Sequence, residues 1–258
     1  MNILVVGGAG YIGSHAVRFL LAAGHQVTVY DNLSRGHREA VPDGLLVEGE
    51  LADRSKLVSL LQERQIEAVM HFAAFALVNE SVNDPSVYYR NNVIAALELL
   101  DGMKEAGVTK IVFSSTTATY GEPDTMPISE ETPQQPISPY GFTKLVIERA
   151  LADYAMAYGF GYAALRYFNA AGATQLRGED HTPETHLIPL VLQVALGQRE
   201  DIKVFGDDYN TLDGTCIRDY IHVADLAQAH RLALHAIDQK SHVYNLGNGL
   251  GFSVTQVL

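Results

Sequence analysis

Short apolar runs alternate with longer amphipathic stretches along most of this chain, the pattern of a parallel sheet with helices on both faces. The apolar runs predict strands at Asn2–Val6, Gln26–Tyr30, Leu45–Val47, Ala68–Phe72, Lys110–Ser114 and Tyr162–Tyr167. Between them the 3.6-residue period predicts helices at Tyr11–Ala23, Ser55–Arg64, Pro85–Glu105 and Pro139–Tyr158. Asp84-Pro85 and Ser138-Pro139 each place an N-cap residue before a proline at the first helical position. Six strands joined by right-handed crossovers predict an α/β fold, a doubly wound parallel Rossmann sheet.

After Tyr167 the rhythm loosens. Residues 170–184 are rich in glycine and polar side chains and predict a long loop. Helical patterns return at Thr185–Ala195 and His222–Ile237, with strand-like pieces at Ile202–Phe205 and His242–Leu246. The expected division is a dinucleotide-binding domain over 1–168, with return segments near 215–225 and 242–249, and a smaller, interwoven and incomplete substrate lobe over 169–258. Ser253-Val254-Thr255-Gln256 fits a capping box, opening a helix of about one turn.

Composition narrows the class. Hydrophobic residues make up 47% and charged residues 19%, enough for a sizeable core and too apolar for wholesale disorder. With 18 basic and 30 acidic residues the formal charge is −12. No broad basic surface for nucleic acid or anionic lipid is therefore expected. Cys216 is the single cysteine, so neither a disulfide nor a CxxC site can form within the chain. The first strand begins almost at Met1 without a basic leader, and no run approaches a membrane span; a cytoplasmic protein is expected.

Gly7-Gly8-Ala9-Gly10-Tyr11-Ile12-Gly13 follows the first strand and opens the first helix. Glycine is needed there for a tight turn, for close approach to a pyrophosphate, and for packing helix on strand. The helix N-terminus adds free N–H groups and a positive dipole end. Asp31 closes the second strand, where a carboxylate accepts ribose hydroxyls and repels a 2′-phosphate. That favours NAD over NADP, although Arg35, His37 and Arg38 nearby argue weakly the other way. Tyr140 and Lys144 share a helix face at i, i+4, and Ser114-Ser115-Thr116 supplies hydroxyls at the end of the fifth strand. A phenol is a poor base at neutral pH unless nearby positive charge lowers its pKa. An ammonium and an oxidised nicotinamide would together make Tyr140 a usable general base.

Gly7–Gly13, Asp31-Asn32, His71-Phe72-Ala73-Ala74, Asn91-Asn92, Ser114–Gly121, Tyr140/Lys144 and Arg166-Tyr167-Phe168-Asn169 resemble the extended short-chain dehydrogenase/reductase family. Leu187-Ile188-Pro189, Asp213-Gly214-Thr215 and Arg218-Asp219-Tyr220-Ile221-His222-Val223 narrow the resemblance to the branch that inverts C4 of UDP-hexoses. The resemblance implies a tightly held NAD, a UDP-sugar in the cleft, and a homodimer through paired helices. It implies that Gly7, Gly10, Tyr11, Ile12 and Gly13 hold pyrophosphate, and that Asp31, Asn32, Leu33, Ser34, Arg35 and Gly36 meet the adenosine ribose. Glu50 and Leu51 would flank adenine, while Phe72, Ala73, Ala74, Asn91, Ser114 and Phe168 line the rest of the cofactor. Asn169, His186, Leu187, Phe205 and Arg218 match sugar-nucleotide contacts, an arginine being suited to a diphosphate. Tyr140, Lys144 and Thr116 would carry the chemistry: proton transfer at the sugar 4-OH with transient oxidation at C4.

Departures from the family pattern also matter. Thr116 replaces the serine of many members, and Ala76 stands where some have a lysine. Members usually continue for several dozen residues past the position of Leu258, so an incomplete lobe is expected. A 4,6-dehydratase on the same scaffold would need an acid and a base where this chain has Thr117-Ala118. A non-catalytic NAD-binding protein is the other alternative. Asp207–Gly214 lacks calcium-loop spacing. His181 and His186 bracket Pro183, but without a nearby third ligand no metal site is expected. Cys216 is expected to be a small packing residue.

Overall fold

The computed structural model describes residues 1–237 and 240–258. Its main sheet contains β1 (Asn2–Val6), β2 (Gln26–Asp31), β3 (Leu46–Glu48), β4 (Ala68–His71), β5 (Lys110–Thr116), β6 (Gly161–Tyr167) and β9 (His242–Leu246). They lie in the order β3-β2-β1-β4-β5-β6-β9, with every pairing parallel. This is the doubly wound Rossmann sheet, one strand wider than the six expected, because His242–Leu246 adds itself beside β6. A smaller mixed sheet carries β7 (Asn169–Ala171), β8 (Ile217–His222) and β10 (Gly251–Ser253) in the order β10-β8-β7.

The helices are α1 (Tyr11–Ala22), α2 (Arg54–Glu63), α3 (Val78–Asn83), α4 (Pro85–Tyr88), α5 (Ala95–Ala106), α6 (Pro139–Tyr158), α7 (Leu187–Ala195), α8 (Val223–Ala236) and α9 (Val254–Val257). Two cores form, one on each face of the sheet, as continuous burial of β1, β4 and β5 requires. On one face α2, α5 and α6 bring Leu57, Leu61, Leu99, Leu100, Ile147 and Leu151 against Leu4, Val69, Ile111 and Phe113. On the other, α1 and α8 bring Val17, Leu20, Ala233 and Leu234 against Ile3, Val5, Met70 and Val112. The proline caps act as expected: Asp84 accepts from Val87 N–H, and Ser138 from Gly141 N–H. Both hydrogen bonds of the Ser253–Gln256 capping box are present.

Three predictions need correction. No strand forms at 202–205, which is irregular chain between α7 and β8. The single helix expected over Pro85–Glu105 is broken into α4, a π-helical turn at Tyr89–Ile94, and α5. π-turns of this kind occur mostly as single turns that re-aim side chains, and this one turns Asn92 inward. Its side chain bonds both the N–H and the carbonyl of Phe75, as well as Thr143, tying the chain after β4 to α6. The α3 segment VNESVN was not expected, because its polar composition hides a helix held by tertiary contacts. Among the described residues no helix is long and apolar enough to cross a membrane.

Candidate active site

At the carboxyl ends of β1, β2, β4 and β5 the expected cofactor residues converge, the position where open α/β sheets bind ligands. The glycine turn depends on close backbone approach. Gly7 has φ +79°, and a Cβ on it would stand 2.4 Å from Ala73 N; a Cβ on Gly13 would stand 2.2 Å from the Gly7 carbonyl. At Gly10 the same Cβ would meet only the Gly7 oxygen, at 3.5 Å, so this edge of the turn is open. Gly10 caps α1 without a side-chain hydrogen bond, leaving the first N–H groups of the helix for an anion.

Asp31 braces the turn: one carboxylate oxygen accepts from Ala9 N–H at 2.9 Å, the other from Leu33 N–H at 2.8 Å. The second bond holds Leu33 in the left-handed region, at φ +60°, a strained state that persists where surroundings over-determine it. Each Asp31 oxygen keeps lone-pair capacity for a ribose hydroxyl. Asn32 bonds Ser34 and Glu50, Gly36 packs on Ala9, and Leu51 is buried beside this rim. The three basic side chains that argued for NADP are engaged elsewhere. Arg35 pairs with Glu80 at 2.6 Å and lies over Phe75, Arg38 pairs with Glu48, and His37 contacts Asp180.

Tyr140, Lys144 and Thr116 come together, all buried. Thr116 ends β5 and accepts a hydrogen bond from Ala118 N–H, and its hydroxyl lies near enough to the Tyr140 phenol to favour the phenolate. One helical turn on, Lys144 Nζ donates to the Ser114 carbonyl at 2.7 Å and sits over the Phe113 ring. Burial dominates both ionisations. It raises the Tyr140 phenol above its ordinary value, with Thr116 opposing, and lowers Lys144 to about 7, with Glu148 opposing. In the protein alone burial therefore outweighs Thr116, and the Tyr140 phenol stays protonated at neutral pH. The Ser114 hydroxyl faces the core, bonded to His230 Nε2 and Tyr167. Phe72 stacks on His230 with ring centroids 4.6 Å apart.

Two buried features were not read from the sequence as part of the site. His71 and His230 are neutral: burial lowers them to about 3 and about 4. Beneath Thr116, Arg166 and Glu148 form an ion pair at 2.5 Å, each side chain 6% exposed. Arg166 also donates to Tyr120, and Ser115 and Gln134 donate to Glu148. Nothing in local spacing announces either, since the partners come from separate elements.

The sugar-nucleotide candidates are more scattered. Asn169 and Arg218 lie on the small sheet, Asn169 donating to the Asp219 carbonyl. Phe168 lies against Gly247 beside Asp219. Leu187 opens α7, whereas Phe205 is 83% exposed on the irregular chain. His186 caps α7 and faces Glu179 and Glu184. The loop before it crosses the mouth of the glycine turn: Tyr11 donates to the Gly172 carbonyl at 2.5 Å, and Arg177 bonds the Glu39 carbonyl. Between loop and turn lies a cavity of about 310 Å³ bordered by Gly10, Tyr11, Ser14, His37 and Glu179.

A parallel Rossmann sheet with a glycine turn, an acid at the end of β2, and a Tyr-x-x-x-Lys pair beside a hydroxyl defines a dinucleotide-dependent protein of short-chain dehydrogenase type. The chain belongs to the NAD dependent epimerase/dehydratase family, whose profile matches residues 3–247, and within it to the UDP-glucose 4-epimerases. It is 56% identical over 262 residues to the UDP-glucose 4-epimerase of Halalkalibacterium halodurans, covering 100% of this chain and 78% of that protein. The UDP-glucose 4-epimerase of Brucella ovis, solved in complex with NAD, superposes with a TM-score of 0.97 at 52% identity, over 99% of this chain and 80% of that one. The Bifidobacterium longum enzyme, solved with NAD+ and UDP, gives 0.95 at 40% identity, over 99% and 81%.

Proposed function

We propose that the protein inverts the configuration at C4 of a UDP-hexose, interconverting UDP-glucose and UDP-galactose with NAD as resident cofactor. The carrying observation is the buried Tyr140 phenol beside Thr116 at the end of β5, with Lys144 one turn away. The cradle fits NAD: Gly10 leaves open space over uncapped N–H groups, and Asp31 retains acceptor capacity at the ribose position. Gly7–Gly13 would hold the pyrophosphate, Asp31 to Gly36 the adenosine ribose, Glu50 and Leu51 the adenine edge, and Phe72 to Ala74, Asn91, Ser114 and Phe168 the remainder. When bound, NAD supplies the hydride acceptor and donor for C4, and a positive charge beside the phenol.

The chain's own residues handle the proton. Tyr140 takes it from the sugar 4-OH as C4 is oxidised, and returns it to the carbonyl oxygen of the 4-keto sugar after the ring has presented its other face. Thr116 hydrogen-bonds Tyr140 and the sugar oxygen, keeping both in line. Lys144 would hold the nicotinamide ribose and, when protonated, favour the phenolate. Asn169, Leu187 and Arg218 would grip the nucleotide so that the sugar alone turns, with Phe205 and His186 as further contacts. The reading includes a cytoplasmic location and a homodimer. The dimer face would carry the exposed Val82, Val87, Tyr89, Ile94 and Phe142 of the α3–α6 side. Replacing Tyr140 with Phe should reduce conversion of UDP-galactose to UDP-glucose by at least ~100-fold with NAD retention unchanged. Near-normal turnover would remove Tyr140 from the role.

A further inference from the structure

Outside the Tyr140 site, the loop before α7 gathers a second set of chemistry-bearing side chains. Glu179, His181, Glu184 and His186 each offer one nitrogen or oxygen, and these atoms lie within 4.8 Å of one another. Glu179 and Glu184 are 8% and 9% exposed at their side chains, unusual for carboxylates in a surface loop. His186 Nδ1 stands 3.0 Å from Glu179 Oε1 and 2.9 Å from Glu184 Oε1. His181 Nδ1 stands 3.2 Å from Glu179 Oε1 and 3.9 Å from Glu184 Oε2. The third ligand that the spacing of His181 and His186 lacked is therefore present twice.

We propose that Glu179, His181, Glu184 and His186 form a binding site for a divalent transition-metal ion of the zinc type. Four ligands at the Zn–N and Zn–O lengths of 2.0–2.2 Å stand about 3.3–3.6 Å apart along the edges of a tetrahedron, and the observed separations straddle that spacing. His181 Nδ1 supplies a second observation. It is a buried nitrogen without a hydrogen-bond partner even though Glu179 lies 3.2 Å away. That nitrogen is thus close to a carboxylate yet free to turn to an ion shared with it. The surroundings orient the set as outer contacts of metal sites do. Thr185 and His186 N–H groups both donate to Glu184 Oε1 at 2.8 Å, and the Tyr11 ring packs edge-on to His181. Two imidazoles with two carboxylates suit zinc, cobalt or nickel over magnesium or calcium, which prefer all-oxygen shells.

The ligand set is fully provided by the protein, which marks a structural rather than a catalytic site. Its effect is mechanical. The ion would close the chain from 179 to 186 into one unit, which meets the glycine turn through His37–Asp180, while the chain just before it is tied there by Tyr11–Gly172 and Arg177–Glu39. It would fix the start of α7 relative to the cradle whichever reaction the protein performs.

The test uses the whole chain, stripped with a chelator and titrated with Zn2+ against a chromophoric competitor, with Co2+ as a spectroscopic probe. One Zn2+ should bind per chain, Co2+ should give the intense visible bands of tetrahedral coordination, and Mg2+ should not compete. His181→Ala and His186→Ala should each weaken Zn2+ at least as much as the ~10–100-fold that even outer contacts cost. Glu179→Gln, which preserves shape, should do the same, and His25→Ala should leave affinity unchanged. Zn2+ should also slow proteolysis within 172–186 in the parent and not in His181→Ala. Failure to bind Zn2+ stoichiometrically, or equal affinity in parent and His181→Ala, would overturn the proposal without touching the C4 reaction.

Discussion

Arg166→Met should be among the most damaging single substitutions in this molecule, and the reason lies in what it leaves behind. Arg166 and Glu148 are each 6% exposed, and the guanidinium reaches both carboxylate oxygens, with Nε at 3.0 and 3.1 Å and NH2 at 2.5 Å. Burial by itself would lower the Arg166 pKa, but the hydrogen bonds and charge of Glu148 more than reverse this, so Arg166 stays charged. Removing the cation leaves Glu148 buried with only Ser115 and Gln134 as donors. Breaking a buried pair from one side costs about 3–5 kcal/mol, a large part of a typical total of about 5–15 kcal/mol. The double variant Arg166→Met/Glu148→Leu removes both charges and should recover most of that loss, since apolar replacements of whole buried pairs are often neutral. Urea unfolding followed by far-UV circular dichroism gives the four stabilities of the cycle. A coupling of at least ~2 kcal/mol is expected. If the double variant loses the sum of the singles within about 0.5 kcal/mol, the two residues act independently and the argument fails.

Three further outcomes follow from the same geometry. His71 and His230 are lowered to about 3 and about 4, below the ordinary 6.5; the unfolded chain therefore takes up protons first, and stability should fall as pH drops from ~6.5 toward 4, by up to about 1.4 kcal/mol per pH unit for each. Urea midpoints at pH 7, 6 and 5 measure this, and His230→Gln should flatten the decline. Lys144, lowered to about 7 by burial, is protonated more readily when unfolded, so the cofactor-free protein should gain stability between pH 7 and 9; in melting curves Lys144→Met should lose that gain while also losing turnover. Gly13→Ala places a Cβ 2.2 Å from the Gly7 carbonyl and should abolish NAD retention through gel filtration, read by absorbance of the released cofactor.

Most of the fold could be read along the chain because its strands are buried on both faces and its helices carry a single apolar stripe. The ends of β1 and α6 fall where the pattern places them. Local chemistry was equally readable: the glycine turn, Asp31 and the i, i+4 pair of Tyr140 and Lys144 are set by spacing alone. What escaped depended on contacts between distant segments. α3 has no stripe of its own, and the π-turn at Tyr89–Ile94 exists because Asn92 must reach Phe75 and Thr143. Ile202–Phe205 has strand composition but finds no neighbouring strand. The bond from Lys144 to the Ser114 carbonyl was hidden for a related reason, since side-chain spacing does not reveal a backbone partner. Glu179 and Glu184 stood beside two histidines in plain view, yet only the folded loop brings their oxygens together.

The central claim is that this site oxidises C4 and returns the same hydrogen to its opposite face. UDP-galactose carrying deuterium at C4, incubated with the NAD-loaded protein and followed by NMR and mass spectrometry, tests it most directly. UDP-glucose that retains the deuterium at C4 is the outcome the account requires. Product that has exchanged its label with solvent, or no UDP-glucose from protein shown to hold NAD, would contradict it.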